Sequence, residues 1–209
     1  MKKILTFLLA LCFIAPGFAQ NYDKKLQKAQ EKEVKTKMKE YKKQGFEIMG
    51  SRTMEVALLR HYSKLNELGD NGIVFDGNSS KTKSKNVGEQ MALNSATIKY
   101  AQKAGSTVKG RVVTDIFANG TDGDGEFEKF YSAYERLVEQ KVKNALVPSY
   151  SVIKSNPDGT YEIQSFFIVD ESKASVARAA AIEDAIKDSG LAGKYADTVR
   201  DAANTKIEN

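Results

Sequence analysis

VPSYSVIKSNPDGTYEIQSFFIVD, residues 147–170, is the stretch that decides the fold class. It reads as a β-hairpin: one strand over 147–155, the turn Asn156-Pro157-Asp158-Gly159, and a second strand over 160–170. Proline fixes φ, aspartate supplies a turn-stabilising carboxylate, and glycine tolerates positive φ. Tyr150 and Val152, like Tyr161 and Ile163, alternate as half-buried strands do, whereas 166–169 is continuously apolar and predicts a central strand.

Helical periods surround the hairpin. Residues 126–145 place Phe127, Phe130, Tyr131, Tyr134, Leu137, Val138, Val142 and Ala145 on one face, the most aromatic in the chain, and these rings read as core. Beyond the hairpin, 172–188 is alanine-rich and ends at Gly190, and 194–207 predicts a closing helix. Upstream, Val87, Met91, Asn94, Ile98, Ala101, Gly105, Val108, Val112 and Ile116 recur at spacings of three and four, with Ala92, Ala96 and Ala104 keeping the flank slim. That spacing predicts one long helix packed along its length. Gly105 and Gly110 each cost about 1 kcal/mol in a helix interior, so they either admit a close neighbour or mark a kink. A strand over 109–117 is the competing reading, and NGTDGDG at 119–125 is a loop by composition.

Towards the N-terminus, residues 23–43 carry Leu26, Ala29, Val34, Met38 and Tyr41 as a narrow apolar stripe in a lysine-rich helix, stopped by Gln44-Gly45. Residues 46–50 predict a short strand, and Ser51 or Thr53 can cap a second helix with Met54, Leu58, Tyr62 and Leu65 on its face. Val56 and Leu59 widen that stripe, so the helix is expected to be covered on more than one side. Residues 69–72 close it, 73–78 read as a strand, and 79–85 as a polar loop. The fold class expected is α+β: a small antiparallel sheet of about four strands against long helices, with an N-terminal amphipathic helix.

The first 19 residues carry a different signal. Lys2 and Lys3, an apolar run over 4–15 and a Gly17-Phe18-Ala19 ending read as a secretory signal peptide, since the run is too short to span a bilayer, which needs roughly 20 residues. The organisation expected is therefore a signal peptide at 1–19, a basic amphipathic helix at 20–45 and a single α+β domain at 46–209. Cys12, the only cysteine, leaves with the leader, so the mature chain has no disulfide, thiol nucleophile or cysteine-ligated metal. Lipidation of Cys12 is disfavoured: Leu11 stands where a small residue is required, and only eight residues of the apolar run precede it. Loss of Lys2 and Lys3 lowers the formal charge from +5 to +3, yet 23–43 alone holds nine lysines against four acids. Such a stripe attracts anionic surfaces; Tyr41 is its only aromatic residue, which leaves little for base stacking and argues against nucleic acid.

The strand at 73–78, the helix VGEQMALNSATIKYAQKAGSTVKGRV and the passage YERLVEQKVKNALVPSYSVIKS with TYEIQSFFIVD together resemble the Lpp-twenty-type envelope lipoprotein family, as found among exported proteins of Bacteroidetes. The resemblance covers residues 72–170, about half the chain. It implies an α+β domain in the periplasm or at the outer membrane, and it offers no catalytic residues. This chain departs from the family in lacking a lipobox cysteine.

Catalytic vocabulary is sparse. His61, the only histidine, follows Arg60 on the second helix and reads as a surface or boundary residue. Asp122, Asp124 and Glu126 alternate with glycine, but an EF-hand counted from Asp122 needs glycine and glutamate where Phe127 and Ala133 stand. Asp197-Thr198-Val199 is similar to a short O-glycosylation acceptor motif of exported Bacteroidetes proteins, with Thr198 as the acceptor. The glycines at 120, 123 and 125 do not end in Lys-Ser/Thr, which gives nucleotide binding no support. The expectation is an exported cell-envelope protein of structural or interaction type, without catalytic residues, cofactor or metal, associating through its basic helix with an envelope protein or anionic surface. The alternative is a periplasmic module that binds a small ligand or polysaccharide on the aromatic face 127–134.

Overall fold

Asp158 closes the hairpin turn by accepting hydrogen bonds from the Thr160 amide at 3.0 Å and hydroxyl at 2.6 Å, while Gly159 takes a φ of 78°. The computed structural model describes residues 16–114, 124–191, 193–203 and 207, with side chains apart from those of 16–23, 124 and 194. The turn joins β3 (Leu146–Ser155) to β4 (Tyr161–Asp170), paired antiparallel with Ser155 opposite Tyr161. Numbering from the N-terminus, β1 (Glu47–Ile48) adds to β3 and β2 (Gly72–Thr82) adds to β4, giving an antiparallel sheet of order β1-β3-β4-β2. Six helices accompany it among the described residues: α1 (Pro16–Gln44), α2 (Met54–Leu68), α3 (Lys85–Val112), α4 (Asp124–Val142), α5 (Glu171–Ser189) and α6 (Gly193–Ala203). The protein is α+β, with a small antiparallel sheet against long helices.

Side-chain alternation divides the sheet into two faces with separate cores. Ile73, Phe75, Phe167 and Val169 point to one side, where α3 lies directly on β2 and β4 and α4, α5 and α6 pack around it. The aromatic face of α4 is sealed there, with Phe130, Tyr134 and Val138 fully buried. On the opposite side, Tyr150, Val152 and Phe166 meet Val34 and Tyr41 of α1 and Ala57 and Leu58 of α2. Thr53 caps α2, its side chain accepting from the Val56 amide.

The long third helix forms and buries Ala101, Gly105, Val108 and Val112 of its periodic face as read, but over residues 87–98 the buried face differs from the periodic one. Gly88, Ala92, Ala96 and Tyr100 face inward, whereas Val87, Met91 and Ile98 are exposed. Close approach decides this: a Cβ on Gly77 of β2 would stand 1.7 Å from the Ala92 carbonyl oxygen, so only small side chains fit between helix and strand. Gly105 plays the same part against Glu135 of α4, while Gly110 faces open space. The chain is helical from 109 to 112, which rejects the strand reading there; 115–117 lie outside the described residues.

Two other expectations are corrected. Residues 79–82 are strand, not loop: Ser79 pairs with Ile163 and, past an irregularity, Thr82 pairs with Tyr161, because both hydroxyl side chains are buried under α3. On α2, Val56 and Leu59 are exposed and His61 is buried, since the sheet and α1 leave the Val56 side open and His61 falls between the buried Ala57 and Leu58 on the helical wheel.

The main core encloses an ion pair invisible to apolar patterning. Arg178 of α5 bonds Glu171 at 2.5 Å, with the two side chains 2% and 3% exposed. The Tyr100 hydroxyl accepts from Arg178 and donates to Glu171 at 3.2 Å, and the Ile207 amide donates to Glu171 at 3.1 Å. Burial opposes the Arg178 charge, but Glu171 and Tyr100 together outweigh it and raise the guanidinium pKa.

Gly77→Ala should destabilise the fold by about 3 kcal/mol or more through overpacking, while Gly110→Ala should gain up to about 1 kcal/mol; urea denaturation followed by circular dichroism separates the two. Glu171→Gln and Arg178→Met should each lose about 3–5 kcal/mol by stranding a buried charge, and the double substitution Glu171→Leu/Arg178→Met should recover much of that loss.

Candidate functional site

Pro148 has no amide hydrogen to give a central ladder, and the β3–β4 register shifts between Pro148 and Tyr150. Ser149 is the extra residue of this bulge. Its hydroxyl lies 2.8 Å from His61 Nδ1 on α2, linking helix to strand. The imidazole is edge-on to Tyr62 and Tyr150, with centroids at 5.4 and 5.2 Å, and Tyr150 stacks on Phe166 at 4.5 Å. The Tyr41 and Tyr150 hydroxyls meet at 3.0 Å, so α1, α2 and the sheet share one aromatic knot.

Beside this knot, α2 leaves one end of the sheet uncovered. The resulting cleft of about 230 Å³ takes Arg60, Lys64 and Leu68 from α2, Val147 to Ser149 from β3, Ile168 and Asp170 from β4, and Lys173 from α5. Val147 is 57% exposed there. Asp170 caps α5: one carboxylate oxygen accepts from the Ser172 amide at 3.1 Å and hydroxyl at 2.5 Å, and the other stands 3.6 Å from Lys173. The Ser172 hydroxyl bond, followed by the amide, holds the Asp170 pKa below its ordinary value despite desolvation. Lys64 pairs with Glu67 at 2.9 Å, whereas Arg60 has no ion pair among the described residues.

Burial lowers the His61 pKa to about 4, so the ring is neutral near pH 7. A serine–histidine pair that moves protons needs its imidazolium stabilised. Here burial disfavours that ion, and no carboxylate bonds the ring among the described residues. The geometry therefore fixes the position of the Ser149 hydroxyl.

A second feature is electrostatic. Lys24, Lys28, Lys32, Lys35, Lys39 and Lys42 of α1 are all exposed, and their spacing keeps them within about 80° of arc. They form a ridge about 27 Å long, turned away from the buried Val34 and Tyr41. Among the described residues only Lys37 of α1 enters an ion pair, with Glu40 at 3.1 Å.

The remaining candidates are dispersed. Asp122 lies outside the described residues, as does the Asp124 side chain, and Glu126 is exposed at the start of α4. Among the described residues no cluster of three or more His, Cys, Asp or Glu is placed to hold a metal ion. Thr198 is half-buried on α6, beside an Asp197–Arg200 ion pair of 3.0 Å. Phe127, Phe130, Tyr131 and Tyr134 are buried, leaving no ring face for a sugar to stack on. No described helix is long and apolar enough to cross a membrane. Comparison with protein-family models, curated proteins and solved structures finds no match to this chain.

Sequence reasoning missed Ser149, Arg60, Lys64 and Lys173. Two signals were present: a proline–serine step inside a predicted strand, which favours a bulge, and cations four apart on one helix at 60 and 64.

His61 gives a signed pH dependence. Above the unfolded value near 6.5 both states are neutral and its contribution is fully present; as pH falls towards about 4 the unfolded chain alone takes the proton. Stability should fall by about 1.4 kcal/mol per pH unit, about 3 kcal/mol in all. Urea titrations from pH 7.5 to 3.5 should show this loss, and His61→Asn should remove that part of it.

Proposed function

We propose that this chain is an exported cell-envelope protein of structural or interaction type, acting by association rather than catalysis, with an anionic envelope surface held through the basic helix at residues 23–43. The observation that carries the proposal is the exposed lysine ridge of α1. A single solvent-facing row concentrates positive potential where a charged surface can meet all of it at once. Val34, Met38 and Tyr41 dock the second half of the helix on the domain, which holds that part of the ridge against the sheet and α2. The leader-like opening and the resemblance to Lpp-twenty-type envelope lipoproteins support export from the sequence side. The α1 helix starts at Pro16, so a cut after Ala19 would fall in its first turn and leave the ridge intact.

Sedimentation with vesicles tests the role of the ridge. Mature protein should bind phosphatidylglycerol vesicles at low salt, ignore phosphatidylcholine vesicles, and be released as salt rises. Each surface lysine contributes about 1 kcal/mol near an anionic bilayer, so Lys28→Gln, Lys32→Gln, Lys35→Gln and Lys39→Gln combined should weaken binding at least about 100-fold. Equal binding by this variant would remove the assigned role. Mass analysis of fractionated cells tests export: the chain should begin at Gln20, and intact protein in the cytosol with Met1 attached would refute it.

A further inference from the structure

We propose that the cleft between α2, the β3 bulge and the start of α5 binds a small carboxylic acid with a single short hydrocarbon chain. Two surfaces of opposite character meet there. The floor is hydrocarbon from Leu68, Val147, Pro148 and Ile168, and Val147 remains more than half exposed. Apolar surface left in a concave, uncovered site gains free energy when a hydrocarbon covers it. The rim is cationic, from Arg60 and Lys64 on α2 and Lys173 on α5. Its one carboxylate, Asp170, stays ionised but is engaged by the Ser172 amide and hydroxyl and by Lys173 at 3.6 Å, so three cations against one carboxylate leave the lining net positive.

Arg60 therefore faces the site without an ion-pair partner among the described residues, and its planar fork matches a carboxylate. Ser149, held by His61 at 2.8 Å, adds a hydroxyl at a fixed place in the wall. Charge complementarity thus selects an anion, and the floor selects one with an alkyl tail. Size narrows the choice further. At about 230 Å³ the cleft is below the range of drug-sized pockets, roughly 300–1,000 Å³. It suits one short chain better than a two-chain lipid or an oligosaccharide. No residue of α1 lines it, so this site is independent of the lysine ridge.

The test is calorimetric titration of the mature protein with octanoate, 1-octanol, octylamine and acetate. Octanoate should bind saturably, with octanol at least about tenfold weaker because it lacks the charge, and octylamine and acetate should not saturate. Arg60→Gln/Lys64→Gln should weaken octanoate at least about tenfold and leave octanol unchanged. Val147→Asp, a change at an exposed position, should abolish octanoate binding while the urea midpoint stays near that of the parent. The four-lysine ridge variant should retain full octanoate affinity. The proposal is overturned if octanoate fails to saturate, if octanol or octylamine matches it, if the Arg60/Lys64 variant binds as well as the parent, or if the ridge variant loses binding.

Discussion

The Glu171–Arg178 ion pair is the constraint around which the larger core is arranged. Two charges withdrawn from water cost several kcal/mol each, and their attraction offsets this only when the remaining polar positions are also satisfied. Tyr100 from α3 and the Ile207 amide from the C-terminal segment supply those bonds. Helix α3, helix α5 and the chain end must therefore arrive together, since any one alone leaves a buried charge under-satisfied. The same requirement fixes the β4–α5 junction. Asp170 turns outward to cap α5 and line the cleft, while Glu171, the next residue, turns inward to the pair. A dipeptide thus couples the sealed core to the open site.

The sheet acts as a partition between these two environments. On the α3 side, helix meets strand so closely at Gly77 and Ala92 that backbone surfaces touch, and a second set of helices completes the covering. On the other side, α1 and α2 cover the sheet incompletely, leaving the Val147 end bare. The bulge at Ser149 sits at that boundary and turns its side chain to His61. A regular strand would keep Pro148 in the ladder without an amide hydrogen; the bulge accommodates it and creates the cleft wall.

Much of this fold was legible in the sequence because it follows from local rules. The Asn156-Pro157-Asp158-Gly159 turn, the Thr53 cap and the aromatic face of α4 each depend on residues a few positions apart, and each forms as read. Where reading failed, long-range packing overrode local pattern. Val87, Met91 and Ile98 make a better apolar stripe than Gly88, Ala92 and Ala96, yet the smaller set is buried because β2 comes within backbone contact. Ser79 and Thr82 look like loop residues until α3 is known to cover them. The cleft was less legible still. Its polar members come from four separate elements, and although the Pro148-Ser149 step hints at a bulge, nothing local shows that it turns towards α2 or that residues 60, 64, 170 and 173 gather beside it.

Charge is distributed in a way that gives the two helical layers different roles. Across α4, α5 and α6, acids and bases are matched between neighbours: Arg136 with Asp188 at 2.8 Å, Lys141 with Asp184 at 2.8 Å, and Arg200 with Glu183 at 2.6 Å. Exposed pairs of this kind add little stability, typically under about 1 kcal/mol each, but they cancel the local field. The α1–α2 layer has the opposite habit. The lysine row of α1 and Arg60 of α2 stand without carboxylate partners among the described residues, so their field extends into solvent. Paired charge across α4, α5 and α6 and an unpaired lysine row on α1 make the charge distribution uneven. An anionic surface would therefore meet the protein α1 first.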